Sequence, residues 1–254
     1  MRSNRSSAVI DDLRDRIRGF ETFRPNANGR DAISTGFSGL NRLLADGGLR
    51  RGTLTEWVCD SAGSGAVTLA MAVAAHILRR EGTLVVIDEG GEFYPVAGAQ
   101  LAIPLDRTAV VRPDSPKAAL WAWEQSLRCL GVAVTFGKID PTNDRAIRRL
   151  QIAAEAGGGL AFLIPPPGNS GTPWAAARIR VEPHAEREAY DRRPHAPRED
   201  QLMRRLRVRV VRGQVGSREE VAELELGHEA GDVPEAPELA GPVALRRPGR
   251  PGVG

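Results

Sequence analysis

Asp60-Ser-Ala-Gly-Ser-Gly65 is the stretch whose residue types and spacing come nearest to chemistry. It joins one apolar run, Thr53-Leu-Thr-Glu-Trp-Val-Cys59, to a second that spans residues 66–80. The first run reads as a buried strand and the second as a mostly apolar helix. A strand, a glycine-rich turn and a helix start can cradle a phosphate, because backbone N–H groups and the helix dipole converge there. Gly63, Ser64 and Gly65 can offer N–H donors, and Thr68 can offer a hydroxyl one place late. The charged parts of such a loop are missing. Ala66 and Val67 stand where the pattern wants Lys and then Ser or Thr, and Asp60 stands at the opening glycine position. A carboxylate there would repel a triphosphate.

Phosphoryl transfer also needs a carboxylate for Mg²⁺ and a group that orients the attacking water. The strand at residues 132–136, which should end in that carboxylate, ends instead in Phe136-Gly137. Asp88 and Glu89 close the strand at residues 83–88 and can supply a base. Lys138 is the obvious substitute for the absent lysine. His76 and His184 have no partners at ligand spacing, so no metal site is expected. The plain alternative is a tight turn that only connects a strand to a helix. A second candidate is Met203-Arg-Arg-Leu-Arg-Val-Arg-Val-Val-Arg212, where Arg alternates with apolar residues. Arg204, Arg205, Arg207, Arg209 and Arg212 can contact a phosphate backbone, or they can simply solvate an edge strand. Trp121 and Trp174 can stack on a ligand or anchor the core.

Alternating strands and helices position these residues. Residues 9–18 carry Val9, Leu13 and Ile17 on one face of an amphipathic helix, and residues 20–30 form a linker. A short helix at 38–44 stops at Gly47-Gly48. Beyond the glycine turn, strands are expected at 83–88, 108–112, 132–136, 160–164 and 175–181. Helices are expected at 94–101, 115–130 and 144–156, with Leu120, Trp123, Leu127 and Leu130 on the core face of the second. The pattern predicts βαβ units and a mostly parallel sheet covered on both faces. Residues 184–200 read as a polar loop. Residues 201–227 read as a basic antiparallel hairpin that completes the core, and 228–254 as a disordered tail.

Composition sets wider bounds. The 254 residues allow one sizeable domain with appendages or two small ones, and the 41% apolar fraction suffices for one core. The net charge of +3 comes almost wholly from arginine, since Lys117 and Lys138 are the only lysines. Cys59 and Cys129 lie in apolar runs without metal spacing, and are expected to be buried free thiols of a cytoplasmic protein. No apolar run approaches the roughly 20 residues of a membrane span.

Several stretches together resemble a known family. Ile33-Ser-Thr-Gly-Phe-Ser-Gly-Leu-Asn-Arg-Leu-Leu44 and Gly47-Gly-Leu-Arg-Arg-Gly-Thr-Leu-Thr-Glu56 resemble the opening of the RecA core. So do residues 84–88, Phe93-Tyr-Pro95 and Ala99-Gln-Leu-Ala102. Ala146-Ile-Arg-Arg-Leu-Gln-Ile-Ala-Ala-Glu-Ala-Gly-Gly-Gly-Leu-Ala-Phe-Leu-Ile164 and Leu206-Arg-Val-Arg-Val-Val-Arg-Gly213 look like the ImuA family of RecA-related proteins. The resemblance covers roughly residues 33–226.

It implies an α/β, RecA-like three-layer fold with a degenerate ATPase site. The lysine and threonine of the RecA phosphate loop fall on Ala66 and Val67, and the strand-end aspartate falls on Phe136. The catalytic glutamate falls near Glu89-Gly90, and the phosphate-sensing glutamine near Pro165-Pro166. The second DNA-binding loop shrinks to residues 165–173. The resemblance further implies a non-catalytic adaptor in damage-induced translesion synthesis, requiring no ATP. Its implied partners are an ImuB-like Y-family protein, RecA itself and an error-prone replicative-type polymerase, with DNA contacted indirectly. The N-terminal helix and the basic hairpin, both expected outside the central sheet, would carry the contacts. An atypical RecA-like ATPase and a DNA-binding repair protein are the alternatives.

Overall fold

The computed structural model describes residues 32–61, 63–80, 82–140, 144–168, 171–183, 204–212 and 221–226. The helix expected at 9–18, the loop at 184–200 and the tail at 228–254 lie outside them. Strand β1 (Ala32–Ile33) pairs antiparallel with β2 (Leu49–Arg50), and helix α1 (Ser38–Leu43) lies between them in sequence. The main sheet is built from β3 (Leu54–Val58), β4 (Thr83–Ile87), β5 (Thr108–Val111), β6 (Val132–Lys138), β7 (Leu160–Ile164), β8 (Ala177–Pro183), β9 (Arg204–Arg212) and β10 (Val221–Leu226). The helices between its strands are α2 (Ala66–Leu78), α3 (Pro95–Gln100), α4 (Pro116–Arg128) and α5 (Asp144–Gly157).

The strand order is β10-β9-β8-β3-β7-β6-β4-β5. From β8 to β5 all neighbours are parallel, while β9 and β10 run antiparallel at one edge. Every residue of β3, β4 and β7 is buried, as central parallel strands covered on both faces require. Toward the edges the pattern changes. Ala177, Ile179 and Val181 of β8 are buried, while Arg178, Arg180 and Glu182 between them are partly exposed.

One core packs α1 and α2 against Leu84, Val86, Val134, Phe136 and Phe162. The other packs α4 and α5 against Val85, Ile87, Ala161 and Leu163. Three layers result, as the alternating pattern predicts. Helix α2 is buried nearly all round, which its apolar composition demands. Helix α4 opens on Pro116 and is capped by Ser115, whose hydroxyl accepts the Ala118 N–H at 3.3 Å.

Four expectations need correction. Leu130 is exposed, because α4 ends at Arg128 and leaves it in the following turn. Cys59 is half-buried and Cys129 is exposed at the same helix end. Strand β6 continues past Phe136 to Lys138. The basic hairpin is not outside the central sheet: β9 bonds to β8, and its Leu206 and Val208 enter the core.

Candidate functional site

The glycine turn leaves the carboxyl end of β3, which lies between β7 and β8. Connections on opposite faces of a parallel sheet meet at such a position, and there ligands bind in open α/β folds. The turn ends on Gly65, with φ of +97°, a left-handed conformation that glycine adopts without strain. Ser64 is buried, and its hydroxyl accepts the Ala66 N–H at 3.3 Å. The Gly65 carbonyl accepts the Leu69 N–H at 2.8 Å. One donor that a phosphate would use is therefore engaged within the turn.

Ala66 is 2% exposed and belongs to the core beneath α2. A lysine there would have to displace packed apolar atoms before reaching a phosphate. Val67 is exposed. Thr68 is half-buried, and its hydroxyl makes no hydrogen bond among the described residues. Gly63 has φ of +82° and is open to solvent. The turn thus brings together Gly63, Ser64, Gly65 and Thr68 with no cation among them.

A cation from the adjoining strand reaches the turn. Arg180 Nη1 donates to Asp60 Oδ1 at 2.6 Å. The repulsive carboxylate expected in the turn is thereby paired, and Arg180 is committed to it. Lys138, the proposed stand-in for lysine, is bound to Glu92 across the end of β4. Asp88 is buried and accepts the N–H groups of Glu92 at 2.7 Å and Phe93 at 3.2 Å. Arg112 Nε faces its other oxygen at 3.2 Å. Asp88 therefore holds the turn after β4, while Glu89 is exposed. Phe136 is a core residue, opposite Val86 and Phe162 in neighbouring strands.

A buried ion pair escaped the sequence reading. Glu56 of β3 is fully buried. Its carboxylate accepts the Thr172 N–H and Arg178 Nε, each at 2.7 Å. Arg178 Nη2 also donates to the Thr172 carbonyl at 3.2 Å. The pair ties the strand before the glycine turn to the proline-glycine loop. A glutamate in an apolar strand was the one available signal, since a buried carboxylate requires a partner.

Carboxylates stand near two arginines of the arginine strand. Across the hairpin, Arg207 stands opposite Glu223 and Arg205 opposite Glu225. Arg207 Nη2 lies 3.8 Å from Glu223 Oε1, and Arg209 Nη2 lies 4.0 Å from Glu182 Oε2 of β8. The side chains of Arg204 and Arg212 lie outside those described. Trp174 is half-buried beside the second core with Arg148 over its ring, whereas Trp121 is 65% exposed. A cavity of about 270 Å³ opens at the far end of β3, lined by Leu44, Arg50, Thr53 and Thr55 among others. Among the described residues, no His, Cys, Asp or Glu cluster is placed to hold a metal ion. None of their helices is long and apolar enough to cross a membrane.

Residues 24–140 match the RecA N-terminal domain family. Over these residues the chain is RecA-like. It is 32% identical to Protein RecA of Acidiphilium cryptum over 117 residues, 46% of this chain and 32% of that protein. It is 31% identical to Protein RecA of Deinococcus radiodurans over 133 residues, 52% and 34% of the two chains. For Teredinibacter turnerae the figures are 33% over 109 residues, 43% and 30%. The chain spans about a third of the length of these curated relatives. The RecA-like stretch holds β3, the glycine turn, α2 and β4–β6. Helix α5 and β7–β10 lie beyond it.

Proposed function

We propose that this RecA-like chain is a non-catalytic adaptor in mutagenic translesion DNA synthesis, acting in the cytoplasm without ATP turnover. The observation that carries the reading is the burial of Ala66 where a phosphate loop keeps its lysine. The pairing of Asp60 with Arg180 and of Lys138 with Glu92 supports it, because both of these cations are already engaged. Phosphoryl transfer depends on positioned charge, so such a turn keeps the shape of a phosphate site without its means of catalysis. The proposed partners are an ImuB-like Y-family protein, RecA and an error-prone replicative-type polymerase. They rest on the likeness of residues 146–164 and 206–213 to the ImuA family. Those segments lie outside the stretch matched to RecA.

Two measurements test the reading. The purified chain is titrated with a fluorescent ATP analogue and Mg²⁺, then assayed for hydrolysis. No binding at millimolar nucleotide is expected, and magnesium-dependent turnover would overturn the non-catalytic part. Separately, purified ImuB-like protein is passed over the immobilised chain. Retention is expected, and its absence, with RecA and the polymerase also failing to bind, would overturn the adaptor role.

A further inference from the structure

The cavity at the amino end of β3 has no part in the glycine turn. It lies between the β3–β8 pair, where Thr55 stands opposite Ala177, and the residues that lead from α1 into β2. Leu44, Leu49 and Ala177, all buried, form its apolar walls. Thr55 lines it from within the sheet and is fully buried, and its hydroxyl has no hydrogen-bond partner. A hydroxyl left in that state costs free energy that a bonded ligand atom would return. Asp46 and Arg50 line the cavity from the solvent side, where both side chains are exposed. Arg50 Nε and Nη2 both donate to Asp46 Oδ2, at 3.2 and 2.7 Å. Asp46 Oδ1 and Arg50 Nη1 make no hydrogen bond among the described residues. The mouth therefore offers an anionic acceptor and a cationic donor side by side. Thr53 Oγ1 donates to the Arg50 carbonyl at 2.6 Å and fixes the backbone beneath them.

We propose that this cavity binds a free α-amino acid whose apolar side chain ends in a hydrogen-bonding atom, a molecule of about tyrosine's size. Its ammonium meets Asp46 Oδ1 and its carboxylate meets Arg50 Nη1. Its side chain lies among Leu44, Leu49 and Ala177, and the terminal polar atom bonds to the Thr55 hydroxyl. A simple anion would leave Asp46 facing it, and a simple cation would leave Arg50 facing it, whereas a zwitterion answers both charges. A cavity of about 270 Å³ suits one such molecule. Larger ligands occupy sites that run from about 300 to 1,000 Å³. The site lies at the opposite end of β3 from the glycine turn, and it does not depend on the adaptor reading.

The test titrates the full chain with L-tyrosine by isothermal calorimetry and repeats it with analogues that each lack one group. Saturable one-to-one binding of L-tyrosine below millimolar concentration is expected. L-Phenylalanine, without the hydroxyl, should bind about fivefold more weakly. Tyrosine amide, without the carboxylate, and N-acetyl-tyrosine, without the ammonium, should each bind about tenfold more weakly. Each penalty should vanish with its own residue. Arg50→Gln should no longer discriminate against the amide, Asp46→Asn against the acetyl form, or Thr55→Val against phenylalanine. Arg128→Gln, on α4, should leave the affinity for L-tyrosine unchanged. A thermal melt of each variant separates lost binding from lost fold, and the exposed Asp46 and Arg50 keep the test decisive if Thr55→Val unfolds. Three outcomes would overturn the proposal. One is no heat of binding at millimolar L-tyrosine. Another is binding that none of the Asp46, Arg50 and Thr55 variants alters. The third is binding of N-acetyl-tyrosine amide as tightly as L-tyrosine, which would mark a site for a tyrosine side chain within a peptide instead.

Discussion

Leu206 of β9 packs against Gly65, the last residue of the glycine turn. A Cβ built on Gly65 would lie 2.7 Å from Leu206 Cδ2. The hairpin thus supports the turn from below, and Leu206 is itself 1% exposed. Gly65→Ala would meet both this contact and a φ of +97°. The left-handed backbone alone costs about 1–2 kcal/mol. A lower denaturation midpoint is expected for Gly65→Ala. Leu206→Ala should cost about 2–5 kcal/mol through the cavity it leaves. The double variant should be less destabilised than the sum, since the smaller side chain relieves the crowding. Strict additivity in urea denaturation would show that the two residues are not coupled.

Glu56 and Arg178 make the second test. Removing one member of a buried pair strands the other's charge, typically costing about 3–5 kcal/mol. Glu56→Ala should therefore lower stability by that order. Glu56→Leu combined with Arg178→Met should cost much less, because neither charge remains to be buried. Loss of Glu56 also removes the acceptor of the Thr172 N–H. Hydrogen exchange at Thr172 should quicken in Glu56→Ala, and unchanged protection there would remove Glu56 as the loop's anchor.

These two relationships show where the sequence is informative and where it is not. The succession of strands and helices is legible because burial on both sheet faces writes continuous apolar runs such as residues 160–164. The glycine turn is legible because its backbone needs glycine locally. The pairing of Glu56 with Arg178 spans 122 positions, and that of Asp60 with Arg180 spans 120. Neither follows from local spacing, since only strand order makes β3 and β8 neighbours. For the same reason the carboxylates beside the β9 arginines are not legible in the arginine alternation itself. They depend on the antiparallel register that sets Arg207 opposite Glu223. Trp121, by contrast, could be placed off the core face from helical periodicity alone.

His76 gives the chain a pH dependence of predictable sign. Its ring packs on the turn at Gly36, where a Cβ would lie 2.7 Å from His76 Cγ. Burial first, and then the nearby charges of Arg79 and Arg80, hold its pKa below the ordinary imidazole value of 6.5. The unfolded chain therefore takes up the proton at higher pH than the folded one. Stability should fall as pH drops through 6.5 toward the folded value, and His76 should contribute no such slope above that range. His76→Gln should flatten this part of the profile. Urea midpoints measured across the range would decide it, and an unchanged slope in His76→Gln would assign the dependence to other groups.

Restoring the missing charged residues is the last test, and the fold argues that it should fail. Ala66→Lys with Val67→Thr would restore the lysine and threonine of a phosphate loop, with Asp60 still at its opening glycine position. Val67 is exposed, so a threonine there should be tolerated. Ala66 is 2% exposed within the α2 core, so a lysine must either bury its ammonium or push the start of α2 outward. Burying an unpaired cation costs several kcal/mol, which exceeds what one phosphate contact returns. Phe136 would still provide no ligand for Mg²⁺, and Asp60 would still face the bound phosphates once Arg180 was drawn away. The double variant should therefore lose stability relative to the parent and gain no ATP hydrolysis. The measurements are a thermal melt with and without Mg²⁺-ATP and a phosphate-release assay. Stabilisation by nucleotide together with turnover would mean that the turn lacks only its lysine and threonine, and that the rest of the site is intact.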